Sequence, residues 1–376
     1  MKKYFGIGIL ALAAALSLGC FAACSETGTA GGTGGNYKPG KNSHLLKEGE
    51  TTCEHCGEQL FEGTLKFTLS DNQKYYTVSG FGDASGDVVV PDFYCSRGDD
   101  TYLPVLELSG NTGDKVEALE IPAVAEDCKI YSGKGLKEVR VAAGNSQYAV
   151  KNGVLYDDTL TELLLYPVAK EGSTFSVPAK VKKIGNNAFE NSSGLTGVDF
   201  ASDAALKSIG DSAFSYCENL RSVVIPAGVE TLGNGAFYSS GVTSVEFAQG
   251  SVLKTIGDSA FSHCENLRSV VIPAGVETLG DGTFYSSGVT SVEFAQGSAL
   301  KTIGDTAFMF CNSIEQIIIP ASVENMGDRV FDGWGWYGQQ RICVPFAAND
   351  LPAGWSAEWL DGINDDAIIE YNYTGN

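Results

Sequence analysis

A tandem repeat dominates this chain and limits what it can fold into. Lys207–Leu253 and Lys254–Leu300 are consecutive blocks of 47 residues that differ at only five positions. Each block holds two smaller units, marked by a phenylalanine that recurs every 23 to 25 residues. The marker residues are Phe189, Phe214, Phe237, Phe261, Phe284, Phe308 and Phe331. A unit this short cannot bury its own apolar face, so the repeat predicts a solenoid of stacked coils.

A short apolar segment recurs within each unit and predicts a strand. Leu220–Pro226 has the pattern Leu-x-x-Val-x-Ile-Pro, which returns at Leu267–Pro273 and, with isoleucines, at Ile314–Pro320. Val242–Phe247 and Val289–Phe294 carry a related pattern between them. Alternation of inward and outward side chains suits a strand. Proline then ends the strand, because it has no N–H for the ladder.

This pattern resembles the BspA-type leucine-rich repeat, also called the Treponema pallidum type. Ile256–Pro273 matches the form of that family position by position, and the match is strong from Phe175 to Phe331. Val116–Pro122 and Leu136–Val141 resemble degenerate coils, and Tyr148–Pro167 resembles a hairpin variant of the family. The resemblance implies a mainly β fold, a leucine-rich-repeat solenoid of short parallel strands between two caps, with few or no helices outside the signal peptide.

The repeat and the composition together predict five segments along the chain. These are a lipoprotein signal peptide at 1–23, a flexible Gly-rich linker at 24–50, a strand-rich N-terminal cap with possible degenerate coils at 51–130, the solenoid at 131–340 and a C-terminal cap at 341–376.

The first residues predict export and a lipid anchor. The apolar run Phe5–Leu18 follows two lysines and is too short for a membrane-spanning helix. Phe21–Cys24 has the bulky-small-small-Cys order of a bacterial lipoprotein cleavage site, whereas Ser17–Cys20 has serine in the bulky position. We therefore expect lipidation of Cys24, which would place the protein on the outer face of the bacterial membrane. The alternative is ordinary signal cleavage that removes both cysteines.

The charge of the chain argues against one class of partner. The formal net charge is −21 at pH 7. Such an acidic body repels nucleic acid, so no nucleic-acid partner is expected.

Three cysteines of the repeat invite a disulfide or metal interpretation that geometry opposes. Cys217, Cys264 and Cys311 lie two coils apart, roughly 10 Å at about 4.8 Å per coil. A disulfide needs Cα atoms within about 7 Å of each other. Ser240 and Ser287 occupy the position in alternate coils. Small buried filler is therefore the expected role of these residues.

A second group of cysteines lies before the repeat. Cys53 and Cys56 have the CxxC spacing of half a zinc ribbon, with His55 between them. A structural zinc site needs four ligands, and no second CxxC exists, since Cys95 and Cys128 are isolated. The sequence thus favours a local disulfide or free thiols over a metal, and predicts no cofactor.

Nucleophilic catalysis lacks its usual partners in this sequence. The three histidines are His44 in the linker, His55 beside the CxxC, and His263 at a ring-filling position. None is a positioned base for a serine or cysteine nucleophile. Gly210–Ser212 recurs as Gly257–Ser259, which indicates turn residues rather than a site. We expect a non-enzymatic protein, with a hydrolase in the first 130 residues as a remote alternative.

The strands of a solenoid present one extended outer face, and its residues can be read from the alternation. The outward residues are Arg221, Ser222, Val224, Thr243, Ser244, Glu246, Arg268, Ser269, Val271, Thr290, Ser291, Glu293, Glu315, Gln316 and Ile318. The family resemblance implies attachment to host proteins or other bacteria, with no specific ligand. We therefore expect this face to bind a protein or glycan, the alternative being a solvated face without a partner.

A loop near the end of the repeat offers a different binding hypothesis. Trp334, Trp336 and Tyr337 alternate with glycines in Gly333–Gly338. Their rings could stack on a sugar of the cell envelope, or they could simply cover the last coil.

Overall fold

The computed structural model describes residues 43–96, 101–336 and 338–374. These residues divide into two compact units. The N-terminal unit runs to Ile130 and includes Val139–Gln147, and the solenoid unit comprises Tyr131–Glu138 and the chain from Tyr148 onwards. The predicted signal peptide, Cys24, the linker up to residue 42 and Tyr337 lie outside the described residues. Nowhere in the described ranges does a helix offer the length and apolarity that a bilayer crossing needs.

The N-terminal unit contains nine short strands. They are β1 (Leu45–Lys47), β2 (Lys66–Leu69), β3 (Tyr76–Gly80), β4 (Gly86–Val89), β5 (Phe93–Cys95), β6 (Leu103–Asn111), β7 (Val116–Ile121), β8 (Asp127–Tyr131) and β9 (Glu138–Val141). One sheet has the order β1-β5-β6-β3-β2, with β8 also on β6, and a smaller sheet has the order β4-β7-β9. The two segments that resemble degenerate coils thus supply neighbouring strands, β7 and β9. Strand β1 lies within the range predicted as linker, and its Leu46 is buried, so this end of the range is ordered.

The solenoid unit contains twenty strands, most of them two to four residues long. The first ten are β10 (Tyr148–Lys151), β11 (Val154–Asp157), β12 (Glu162–Leu165), β13 (Thr174–Val177), β14 (Lys183–Ile184), β15 (Gly197–Phe200), β16 (Ser208–Ile209), β17 (Ser222–Ile225), β18 (Thr231–Leu232) and β19 (Ser244–Phe247). The other ten are β20 (Thr255–Ile256), β21 (Ser269–Ile272), β22 (Thr278–Leu279), β23 (Ser291–Phe294), β24 (Thr302–Ile303), β25 (Gln316–Ile318), β26 (Asn325–Met326), β27 (Arg341–Val344), β28 (Gly354–Trp355) and β29 (Ile368–Tyr371). The described residues contain no helix, which confirms the predicted mainly β solenoid.

Two parallel ladders run along the solenoid. The long ladder consists of β13, β15, β17, β19, β21 and β23, which are the strands that the repeat predicts. The short ladder consists of two-residue strands: β14, β16, β18, β20, β22, β24, β26 and β28. These segments, such as Thr231–Leu232, lie outside the apolar pattern from which strands were predicted. Each forms a strand because its buried residue, such as Leu232, lies in register with that of the next coil.

Both ends of the solenoid unit retain the strand pattern. At the start, β10 and β11 form an antiparallel hairpin, as the family resemblance implied. Asn152 and Gly153 form its turn with φ of 52° and 75°, the left-handed backbone that two-residue hairpin turns require. At the other end, β27 and β29 follow β25 in a parallel sheet, and β28 extends the short ladder. The predicted C-terminal cap is therefore built from further coil-like strands.

A stack of phenylalanine rings forms the centre of the solenoid core. The seven marker phenylalanines are all fully buried. Consecutive ring centroids are 4.8 to 5.7 Å apart, and the ring planes lie within 16° of parallel. Aromatic pairs of this kind contribute roughly 0.5–1.5 kcal/mol each beyond the burial of their area.

A ladder of side-chain oxygens joins the turns of successive coils. The Asp258 Oδ1 accepts the backbone N–H of Asp281 at 2.9 Å, and the Asn234 Oδ1 accepts that of Asp258 at 2.9 Å. The same bond recurs from Asn186, Asp211, Asp281 and Asp305. The predicted role of the Gly-Asp-Ser segments as turn residues is confirmed, since their carboxylates hold the backbone of the next coil.

Candidate binding face of the solenoid

The strand face is the outward side of the long ladder and of β25. All fifteen residues predicted to point outward are exposed or half-buried. In β17, for example, Ser222 and Val224 are exposed while Val223 and Ile225 are buried. The sequence therefore predicts the exposure of the whole set. Ten of the residues lie within β17, β19, β21, β23 and β25, and the other five immediately precede those strands.

Apolar and acidic side chains alternate across the middle of the strand face. Val224 lies in register with Glu246, and Val271 lies in register with Glu293. Val224, Val271 and Ile318 are 51%, 53% and 46% exposed, which is unusual for aliphatic residues on a strand. Because the coils alternate in type, the face repeats an aliphatic position and an acidic position with a period of two coils.

The long ladder is fully paired only at every second junction. Strands β17 and β19 pair across four residues, whereas β19 and β21 pair only at Ser244 and Ser269. Ser244 follows Ser222 by 22 positions, but Ser269 follows Ser244 by 25. Part of the longer coil is the loop Ala248–Leu253, in which Gly250 has a φ of 79°. The extra length lets the ends of β19 and β21 separate.

This separation opens a cleft in the strand face. The β19–β21 cleft has a volume of about 580 Å³, and its lining includes Glu246, Phe247, Val271, Pro273 and Gly250. It combines an apolar floor with one carboxylate at its edge. Such a mixture of apolar surface and few polar groups is typical of binding sites.

The arginines of the strand face also serve the structure itself. Arg268 Nη1 donates to the carbonyl oxygens of Glu265 at 2.9 Å and Gly288 at 3.1 Å, and so bridges two coils. Arg221 Nη1 makes the equivalent bonds to Glu218 and Gly241. The sequence analysis identified these side chains as exposed but did not foresee the bonds, because the carbonyl partners are set by the stacking of coils. Substituting either arginine would therefore alter coil packing as well as the face.

The proposed sugar platform near the end of the repeat is wrong for Trp334. This residue is fully buried; its indole N–H donates to the Phe308 carbonyl at 2.8 Å, and its ring meets Phe331 edge-on at 4.9 Å. It extends the phenylalanine stack and closes the last coil. A buried indole needs both apolar contact and a hydrogen-bond acceptor, and this position supplies both. Trp336 is 66% exposed. Trp334 thus takes the covering role that was the alternative interpretation of the loop.

A second row of rings lies beside the core and was only partly anticipated. Its members are Tyr216, Tyr238, His263, Tyr285 and Phe310, whose neighbouring centroids are 5.3 to 5.7 Å apart in edge-on contacts. The row is partly solvent-exposed and borders a hollow of about 320 Å³. His263 is confirmed as a ring position, since it lies between two tyrosines. The available signal was a ring one or two positions after each marker phenylalanine from Phe214 to Phe308.

The cysteines of the repeat are buried filler, as predicted. Cys217, Cys264 and Cys311 are fully buried, and burial raises the pKa of each thiol to about 12. Each Sγ–H donates to a phenylalanine carbonyl of the preceding coil, at 2.9 to 3.1 Å. Among the described cysteines none forms a disulfide.

The repeat matches the model of a known protein family. The model of the BspA-type leucine-rich repeat region matches residues 170–287 and 242–336, in six copies. This stretch is a BspA-type leucine-rich repeat region. The family resemblance of the sequence is thereby confirmed, and the two ladders and the phenylalanine stack are the structural form of its consensus.

Several solved structures of bacterial leucine-rich repeat proteins are similar to this chain. A leucine-rich repeat protein from Eubacterium ventriosum is 22% identical, with a TM-score of 0.51 over 73% of this chain and 93% of that one. A leucine-rich cell surface protein from Faecalibacterium prausnitzii is 18% identical, with a TM-score of 0.37 over 83% and 94%. The T. pallidum leucine-rich repeat protein is 19% identical, with a TM-score of 0.30 over 73% and 86%. The first of these supports the fold alone. No curated protein matches the chain.

Proposed function

We propose that this protein is a non-enzymatic cell-surface interaction protein that contacts a protein partner through the strand face. One observation carries the proposal: the face exposes Val224, Val271 and Ile318 in a regular row, with Glu246 and Glu293 between them. The regular recurrence of these aliphatic side chains along one face distinguishes them from singly scattered surface residues, and their burial against a partner would be favourable.

The side chains of the strand face predict the chemical character of the partner surface. Aliphatic positions favour apolar contacts, and the carboxylates between them favour lysine or arginine side chains on the opposing surface. The net charge of −21 adds long-range attraction for a basic partner. We infer an extended protein surface of host matrix or of another bacterium, with apolar and basic residues that alternate.

The N-terminal sequence supports a location at the cell surface. A signal peptide followed by lipidated Cys24 and a Gly-rich tether would hold both units outside the cell. Mass spectrometry of the mature N-terminus tests this part, with a diacylglycerol-modified Cys24 as the expected result. An unmodified N-terminus beyond residue 24 would contradict it.

The strand face is tested by replacing its aliphatic row. We expect the triple variant Val224→Thr, Val271→Thr and Ile318→Thr to bind immobilised host matrix proteins or bacterial cells more than about tenfold more weakly, the factor that corresponds to about 1.4 kcal/mol. Threonine keeps the β-branched shape, so the strands should persist. Surface plasmon resonance measures the affinity, and circular dichroism checks the fold.

Two control variants separate the face from general surface effects. Leu69→Thr removes an exposed aliphatic residue of the N-terminal unit. Glu230→Gln removes a carboxylate beside the short ladder, where it pairs with Lys207. Both should bind as the unaltered protein does. Full binding by the triple variant would contradict the proposal.

A further inference from the structure

Three potential metal ligands meet at one corner of the N-terminal unit. His44 immediately precedes β1, and Cys53 and Cys56 belong to the turn that follows that strand. One ligand atom from each of the three side chains lies within 4.8 Å of the other two. From sequence, His44 falls in a range predicted as flexible linker, so only the two cysteines were expected to lie together. The folding of β1 into the sheet brings the histidine to them.

The spacing of these atoms is close to that of a tetrahedral zinc site. Zinc binds thiolate sulfur at about 2.3 Å and imidazole nitrogen at about 2.0–2.1 Å, so their tetrahedral separation is roughly 3.6 Å. The His44 Nδ1 and the Cys56 Sγ are 3.7 Å apart. The Cys53 sulfur lies within 4.8 Å of the Cys56 sulfur and of a ring nitrogen of His44.

Backbone hydrogen bonds hold the cysteine turn in a form suited to metal binding. The Leu45 N–H donates to the Cys53 Sγ at 3.4 Å, a bond that orients the sulfur. The Gly57 N–H donates to the Cys53 carbonyl at 2.9 Å, and the φ of 76° at Gly57 turns the chain after the second cysteine. Glu54 N–H donates to the Leu45 carbonyl at 2.9 Å, which ties the turn to β1.

The histidine is fixed by a buried carboxylate. Asp92 is only 5% exposed; its Oδ2 accepts the His44 backbone N–H at 2.9 Å, and its Oδ1 accepts that of Ala123 at 2.9 Å. His44 is therefore held on the folded unit rather than left on a mobile segment. Cys53 is buried and Cys56 is exposed, so the site faces solvent on one side.

We propose that His44, Cys53 and Cys56 bind a zinc ion, with water or an external ligand in the fourth position. Two thiolates and an imidazole form a donor set that suits this borderline-soft cation. Zinc held by three protein ligands keeps its fourth tetrahedral position for water or another ligand. The ion would fasten the chain just before β1 to the turn that follows it. The site would thus stabilise the point at which the N-terminal segment enters the fold.

Cobalt substitution tests the site directly. The full-length protein, purified in detergent under reducing conditions and stripped of metal, is titrated with Co²⁺. We expect one ion per chain, a near-ultraviolet band from thiolate-to-cobalt charge transfer and the visible bands of a tetrahedral site. Zn²⁺ should abolish these bands, and competition against a chromophoric chelator gives its affinity.

Matched variants identify the ligands. Cys56→Ser is the main variant, because its exposed position spares the fold, and His44→Ala tests the ligand that only the structure reveals. Each should weaken Zn²⁺ binding by more than the roughly 10–100-fold that loss of a supporting hydrogen bond costs. Cys128→Ser and His263→Ala are the matched controls, because each also removes one cysteine or one histidine but lies outside the cluster. Both should bind Zn²⁺ as the unaltered protein does.

Three results would overturn the proposal. One is the absence of the charge-transfer band in folded protein with reduced thiols. Another is an unchanged Zn²⁺ affinity in His44→Ala, which would leave only the two cysteines. The third is a Cys53–Cys56 disulfide in protein isolated from the exporting cell, detected by peptide mass spectrometry, because oxidised sulfur cannot bind the ion.

Discussion

The solenoid unit and the N-terminal unit differ in whether their stabilising interactions recur along the chain. In the solenoid, a buried phenylalanine, a turn carboxylate or amide and a pair of short strands return in nearly every coil. In the N-terminal unit, buried polar residues such as Asp92 and Thr112 do not recur at a fixed spacing. Asp92, for example, joins His44 to Ala123. Repetition therefore marks residues that build the coil, whereas residues without a repeat are the better candidates for chemistry.

This difference changes how individual residues should be interpreted. Asp258 and Cys264 have the side chains of catalytic or metal-binding residues, yet both have a backbone partner in a neighbouring coil. His44 and Cys56 have no counterpart in the repeat, and the structure brings them together. Coil length matters within the solenoid too. The longer coil at Ala248–Leu253, whose sequence recurs with one difference at Ala295–Leu300, opens the β19–β21 cleft.

The largest expected effect comes from breaking the phenylalanine stack. Phe261→Ala should lower the free energy of unfolding of the solenoid unit by about 3–5 kcal/mol, because it leaves a cavity between Phe237 and Phe284. Hydrogen exchange measures the loss in each unit. Since the main core cluster consists of solenoid residues, amides of the N-terminal unit should keep their protection. Phe261→Leu, which retains most of the volume, should cost less. Equal loss of protection in both units would contradict the view that each has its own core.

A smaller effect is expected from removing one hydrogen bond of the ladder of side-chain oxygens that joins the turns of successive coils. Asp258→Ala removes the acceptor for the Asp281 N–H and should cost about 1 kcal/mol. Asp258→Asn keeps the acceptor oxygen, as Asn234 does one coil earlier, and should be nearly neutral. Chemical denaturation of the two variants measures the difference. If asparagine proved as costly as alanine, charge rather than the hydrogen bond would stabilise the ladder.

The smallest expected effects distinguish the units by the sign of their pH dependence. Burial raises the pKa of Glu120 in the N-terminal unit, so the folded form binds the proton more tightly than the unfolded form. Its contribution to stability is present below pH 4.5, the ordinary pKa of a glutamate, and is lost as the pH rises through the raised pKa. The hydrogen bond from Lys254 lowers the pKa of Glu277 in the solenoid, so its contribution is present above pH 4.5 and is lost as the pH falls.

Glutamine substitutions separate these two contributions. Between pH 4 and pH 7, Glu120→Gln should reduce the loss of N-terminal stability with rising pH, whereas Glu277→Gln should reduce the gain of solenoid stability. Hydrogen exchange at several pH values measures each unit. The Glu277 effect should be the weaker of the two, because its ion pair with Lys254 is exposed to solvent. A common sign for both variants would contradict the assignment of the two environments.

The sequence by itself determined the repeat architecture. The spacing of the phenylalanines fixes the length of a coil, and strict alternation in segments such as Leu220–Pro226 fixes which side chains enter the core. These are local rules, because each coil packs only on its neighbours and side chains alternate along any strand. The exposure of the fifteen outward residues and the burial of the repeat cysteines could therefore be predicted without coordinates. The family resemblance implied the hairpin within Tyr148–Pro167.

Only the tertiary structure decided what depends on the stacking of coils or on contacts distant in sequence. The short ladder forms because two-residue segments align between coils, and the Arg268 bonds and the buried Trp334 depend on carbonyl groups 20 and 26 positions away. His44 reaches the cysteines because β1 pairs with β5, some 48 residues further along the chain, and Asp92 fixes its backbone. A linear pattern shows which residues are near in sequence, but the strand pairings determine which become neighbours in space.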